Sequence, residues 1–175
     1  INLINPILFD LYHKKINETK KLIDNYTHKW KLYRKYKNIY EYVYTSSNIQ
    51  YNICAISTIS RSYFKLREII IDLDILNNIK SKIFCMAEGP GGFIQCINDY
   101  SNNIHEIYGT TLLSDKNDIP YWSPLIYKYN NVNILEGQDN TGDICKEINR
   151  NNIIKIIGKN TCDLITGDGG INYSN

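Results

Sequence analysis

The chain has 175 residues, a mass of 20.4 kDa, 43% hydrophobic and 22% charged residues, and a formal net charge of +2. This length suits one domain with a sizeable core, two full domains would be tight, and the composition excludes global disorder and a collagen-like repeat. No apolar run approaches the roughly 20 residues of a membrane span, so no membrane partner is expected.

Charge is uneven along the chain. Residues 1–50 carry nine Lys/Arg against four Asp/Glu, and residues 51–175 carry eleven against fourteen. A basic front on a nearly neutral body suits a polyanionic partner; a solvated helix face is the bland alternative. Cysteines stand at 54, 85, 96, 145 and 162, an odd number without CxxC or zinc spacing to a His. They read as reduced, mostly buried thiols in a cytosol-like compartment, with no metal site. The bias toward Ile, Asn, Lys and Tyr follows AT-rich codons, which weakens any argument from the fifteen tyrosines.

From Leu8 to Tyr44 the spacing predicts helix, with a break near Asn25 to Thr27. Leu22, Ile23, Tyr26, Trp30 and Tyr33 recur at three- and four-residue steps, continued by Tyr36, Tyr40 and Val43. Residues 45–58 read as loop or short strand. Ser60 is placed to cap a helix whose apolar positions include Tyr63, Phe64, Ile70 and Leu73. Ile83 to Ala87 then reads as a buried strand, Glu88 to Gly92 as a turn, and Phe93 to Tyr100 as a helix.

The alternation continues with a strand at His105 to Leu112, a loop at Asn117 to Asn130 and a strand at Val132 to Leu135. A helix over Asp143 to Arg150 follows, continued or succeeded by Ile153 to Ile157. A last strand, Asp163 to Thr166, runs into Gly167-Asp168-Gly169-Gly170. Such alternation predicts parallel βαβ units with right-handed crossovers. Residues 1–55 form a basic helical extension in this reading, and residues 56–175 the first half of an α/β domain.

Ligands of open parallel sheets bind beyond the carboxyl ends of the strands, where strand order reverses. The Gly89-Pro90-Gly91-Gly92 loop lies there, between a strand and a helix N-terminus. Its spacing fits neither GxxxxGK[ST] nor GxGxxG, and Glu88 would repel a pyrophosphate. Glu88 would attract an amino acid's ammonium group, so a ligand with amino-acid and nucleoside ends, such as S-adenosylmethionine, fits better; a plain structural turn stays open. Asp168 is either a carboxylate delivered to the same rim or the side chain of a tight turn bonding its own backbone. Lys65 is either catalytic or a snorkelling surface residue.

Three ordered segments carry a resemblance: Ser60-Arg61-Ser62-Tyr63-Phe64-Lys65-Leu66, then Glu88-Gly89-Pro90-Gly91-Gly92-Phe93, then Asp163-Leu164-Ile165-Thr166-Gly167-Asp168-Gly169-Gly170. Together they resemble the FtsJ-like ribose 2′-O-methyltransferases, over about residues 55–175. The cap-specific mRNA branch has the most similar motifs, and its versions in large cytoplasmic DNA viruses share a GTTL-like strand, a PYW turn and a TGD segment. The resemblance implies a Rossmann-like methyltransferase fold with helices on both faces of a parallel sheet. It also implies S-adenosylmethionine as cofactor and methyl transfer to a ribose 2′-hydroxyl of capped mRNA. A cytoplasmic site, in a viral factory or virion, follows from the viral branch.

By motif, the first Lys and the Asp of the family's Lys-Asp-Lys-Glu set match Lys65 and Asp168. Glu88, Gly89, Pro90, Gly91, Gly92 and Phe93 match the methionine end of the cofactor site, and Asp139, in Gly137-Gln138-Asp139, is the candidate for the adenine amino group. Tyr108-Gly109-Thr110-Thr111 offers no acid for the cofactor ribose. The second Lys and the Glu would lie beyond Asp168, and the chain begins at Ile1, so an N-terminal fragment is expected that is inactive alone. A lysine is a base only when neutral; a nearby carboxylate opposes that, and a second cation promotes it.

Three other readings compete: a ribosomal or transfer RNA 2′-O-methyltransferase, a non-catalytic methyltransferase-like module that binds RNA or a partner, and a nicotinamide oxidoreductase, which the loop spacing disfavours. The front helices are expected to add RNA affinity through Lys14, Lys15, Lys20, Lys21, Lys29 and Lys31.

Overall fold

The computed structural model describes residues 6–26, 28–29, 54, 56–78, 82–101, 106–114 and 121–169. The chain divides into two compact units, Ile1–Ala55 and Ile56–Asn175. In the first, α1 (Pro6–Asp24) ends at the expected break, closed by a turn from Tyr26 N to Ile23 O. Leu11, Tyr12, Ile16, Leu22, Ile23 and Tyr26 are exposed along it, as are Lys14, Lys15, Lys20, Lys21 and Lys29. The expected continuation through Trp30, Tyr33, Tyr36, Tyr40 and Val43, and Lys31, lie outside the described residues. No helix among the described residues is long and apolar enough to cross a membrane.

The second unit holds α2 (Ser62–Leu73), a 3-10 turn (Ile75–Asn78), β1 (Lys82–Met86), α3 (Gly92–Tyr100) and β2 (Glu106–Gly109), then a 3-10 turn (Ile126–Lys128), β3 (Val132–Ile134), α4 (Glu147–Ile157) and β4 (Leu164–Gly167). The strands form one parallel sheet in the order β3-β2-β1-β4. Successive strands step outward from β1 to β3, and the chain then returns to the other side of β1. The β1/β4 crevice is therefore the point where strand order reverses, the ligand position of such sheets.

Period-two alternation along the strands feeds two cores. Ile83, Cys85 and Ile107 face the larger one, with Tyr63, Leu66 and Ile70 of α2 and Phe93, Ile94, Cys96 and Ile97 of α3. Phe84 and Tyr108 face the other, with Leu135 and with Ile153 and Ile157 of α4. Helices on both faces of a parallel sheet make this an α/β Rossmann-like fold.

The α2 face differs from expectation. Its stripe is Tyr63, Leu66 and Ile70, whereas Leu73 is 67% exposed at the helix end. Ser60 does not cap it: Arg61 is the N-cap and Ser60 Oγ lies 2.6 Å from Ser62 Oγ. Residues 143–146 form turns instead of the first turn of α4, because Asp143 Oδ1 accepts the Cys145 amide at 2.9 Å. Among the described residues the five cysteines form no disulfide, but only Cys85 and Cys96 are buried, and Cys145 is exposed.

Candidate active site

The glycine loop between β1 and α3 is shaped by its neighbours. Gly91 has φ +115°, which strains any side chain, and a Cβ there would collide with Ile126. A Cβ on Gly92 would collide with the Ser60 and Ser62 hydroxyls. The segment that leads into α2 thus rests directly on the loop. On the opposite flank Ser123 N donates to Pro90 O at 2.9 Å, and Glu88 N donates to Thr110 O at 3.0 Å. Packing and backbone conformation alone account for these two glycines.

Glu88 lies at the carboxyl end of β1 and is 3% exposed. Its Oε1 accepts from the amides of Phe93 (2.5 Å) and Ile94 (3.2 Å), the first turn of α3. The Glu88 side chain thus satisfies amides of its own helix N-terminus. A phosphate has no vacancy there. Oε1 turns into the loop. Burial pushes the Glu88 carboxyl up to about 8, opposed by the two amides and reinforced by the nearby Asp168 charge.

Asp168 follows β4, whose Gly167 pairs with Met86 of β1. Gly169 passes so close to Ala87 that a Cβ would lie 2.5 Å from the alanine methyl. This close approach brings Asp168 to the Glu88 rim. Lys65, from the solvent side of α2, reaches across: its Nζ is 2.8 Å from Asp168 Oδ1 and 2.7 Å from Oδ2. The side chains are 62% and 32% exposed. An exposed pair of this kind contributes about 0–1 kcal/mol to stability. Its interest is therefore its position.

Two contacts set the face that α2 turns outward. Tyr63 OH donates to Asp99 Oδ2 at 3.0 Å, and Arg67 Nε donates to the Tyr100 hydroxyl, both partners belonging to α3. Burial first, then the Asp99 bond, raises the Tyr63 phenol well above its ordinary range.

Asp139 sits in the loop after β3, at the carboxyl edge of the sheet. Its Oδ2 is 2.7 Å from Lys146 Nζ, and its Oδ1 accepts from Thr141 Oγ1 (2.6 Å), Asn149 Nδ2 (2.8 Å) and Thr141 N (3.1 Å). Lys146 first, then Thr141 and Asn149, hold its carboxyl well below the usual range. Both oxygens are engaged within the protein. Asp143, one turn on, uses Oδ1 for the Cys145 amide.

The rim gathers Glu88 and Asp168, its helix N-terminal amides are already taken up by Glu88, and Thr110 Oγ1 is fully buried without a hydrogen-bond partner beside the loop. The sequence did not single out Thr110, Asn149 or Lys146. An orphaned hydroxyl and a buried amide in a helix leave no signal in residue type or spacing.

No curated protein matches the chain. A family model described as FtsJ-like methyltransferase matches residues 58–175, which span the whole sheet, the glycine loop, Lys65 and Asp168. The match covers most of the chain, and the protein belongs to the FtsJ-like methyltransferase family.

Proposed function

We propose that this protein moves the methyl group of S-adenosylmethionine to a ribose 2′-hydroxyl of RNA, at the cap-proximal nucleotide of mRNA, as in the cap-specific enzymes of large cytoplasmic DNA viruses. The single observation that carries the reading is the Lys65–Asp168 pair at the β1/β4 crevice, beside the Glu88 turn. The cofactor would lie along loop 88–93, with its adenine end toward the Asp139 loop, and supplies an electrophilic methyl on a sulfonium.

The residues supply placement and proton handling. Transfer is an in-line displacement, so the 2′-oxygen must be held about 3 Å from the methyl carbon. Asp168 and the Lys65 ammonium present an acceptor and a donor at adjacent positions, which orients a hydroxyl between them. A lysine takes up a hydroxyl proton only when it is neutral. In this arrangement Lys65, paired to both carboxylate oxygens of Asp168, orients the hydroxyl. The same pair also favours a second reading, a non-catalytic RNA-binding module of this fold, because each charge already has its partner within the protein.

The test is to incubate the full-length protein with methyl-labelled S-adenosylmethionine and capped RNA, then digest the product to nucleosides. The proposal predicts label in the 2′-O-methyl nucleoside next to the cap, and none when that position is already methylated. Label in uncapped ribosomal or transfer RNA alone would move the substrate. Absence of label with retained RNA binding would favour the module.

A further inference from the structure

We infer that Asn149 positions the adenosine-side wall of this site and that the Asp139 carboxylate latches that wall instead of reading the adenine amine, an inference that rests on the cofactor reading above. Loop 136–142 leaves β3 at the carboxyl edge of the sheet and turns tightly, with φ positive at Gly137, Asn140 and Gly142. One side chain holds it in shape. Asn149, in the first turn of α4, is fully buried. Its Oδ1 accepts from Asp139 N at 3.2 Å, while Nδ2 donates to Asp139 Oδ1 (2.8 Å), Asp143 O (3.0 Å) and Thr141 Oγ1 (3.3 Å). A single amide thus fixes three alternate residues. Gly137 folds against the same group, since a Cβ there would lie 2.5 Å from Asn149 Cγ.

The start of α4 runs against ordinary helix chemistry in one respect. Lys146 is its N-cap and makes no capping bond, although Ser, Thr, Asp or Asn is favoured there and a cation is opposed by the helix dipole. The Asp139 partner, 2.7 Å from its Nζ, offsets that penalty. Asp139 has Oδ1 shared between Thr141 and Asn149 and Oδ2 held by Lys146, so the carboxylate is fixed by its own protein neighbours. The effect extends to the neighbouring strand end. Leu113 N donates to Thr141 O at 2.7 Å, and Gly142 passes so close to Thr111 O that no side chain fits. Asn149 therefore sets the ends of β2 and β3 together.

The test measures calorimetric affinities of the full-length protein for S-adenosylhomocysteine and for its inosine counterpart, which carries a carbonyl in place of the amine. Measurements are made well below melting on wild type, Asn149→Ala, Asp139→Asn, Lys146→Met and Lys146→Arg. The latch predicts that Asn149→Ala, Asp139→Asn and Lys146→Met weaken both ligands by the same factor, about tenfold. Lys146→Arg keeps wild-type affinity. Lys146 is exposed, so its variants report on the loop even if Asn149→Ala fails to fold. A loss confined to the amine-bearing ligand in Asp139→Asn, or unchanged affinity in every variant, overturns the inference while the cofactor reading stands. A wild-type protein that binds neither ligand overturns the cofactor reading, and this inference with it.

Discussion

Lys65 and Asp168 are 103 residues apart in sequence, yet the lysine Nζ lies within 2.8 Å of both carboxylate oxygens. Neither residue is buried enough for the pair to hold the fold together. α2 is locked to α3 on its opposite face, and β4 is paired to β1, so each partner is fixed by its own element. The pair is a consequence of the architecture, and it lies at the carboxyl end of β4.

Asp168→Asn removes the charge and keeps the shape. Because the pair is solvent-exposed, the melting midpoint should move by no more than the equivalent of about 1 kcal/mol. Methyl transfer should fall at least tenfold. Parallel melting and initial-rate measurements check this, and a large melting shift with unchanged rate would return Asp168 to a structural turn.

Glu88 gives the domain a pH dependence with a definite sign. Its carboxyl is raised by burial to about 8, from an ordinary value of 4.5. Between those values the folded form holds a proton that the unfolded chain releases. That contribution is complete below about 4.5, and it is lost as pH rises through about 8. Denaturant titrations from pH 5 to 9 should show falling stability. Glu88→Gln should flatten the curve, and a wild-type curve that rises over this range would contradict the assignment.

Gly92 should not tolerate a methyl group. Alanine there drives its Cβ into the Ser60 and Ser62 hydroxyls, with the Tyr63 amide only 3.0 Å away. A destabilisation of about 1–3 kcal/mol is expected, typical of overpacking. Ser60→Gly combined with Ser62→Gly in the Gly92→Ala background should recover part of it, measured by thermal unfolding. No recovery would mean that the strain lies elsewhere in the loop.

The basic first unit is the proposed source of RNA affinity. Lys14, Lys15, Lys20, Lys21 and Lys29 are exposed. If they meet phosphates, replacing all five by Gln lowers the slope of log affinity against log salt by about 0.7 for each phosphate left unneutralised, the single-strand value. An unchanged slope would make them a solvated helix face.

The parallel order of the sheet was legible because short apolar runs such as Ile83 to Ala87 alternate with helical spacing. Their lengths exclude most other arrangements. The meeting of Lys65 with Asp168 was legible through motif order together with the rule that active groups gather at strand ends. Details governed by local hydrogen bonds were not. Ser60 looks like a helix cap, but its hydroxyl pairs with Ser62 and the helix starts two residues later. Nothing in the residue order shows that Oε1 of Glu88 accepts from the first amides of α3. Asp139 looked available to a ligand because nothing in the residue order shows that Lys146, Thr141 and Asn149 converge on it.

Lys65→Ala in the full-length protein tests the central claim most directly, with cofactor affinity and single-turnover methyl transfer measured on the same preparation. The account predicts affinity within a factor of about two of wild type and transfer reduced at least a hundredfold, as expected when an orienting or proton-handling group is lost. Equal loss of affinity and transfer, or transfer at the wild-type rate, would contradict it.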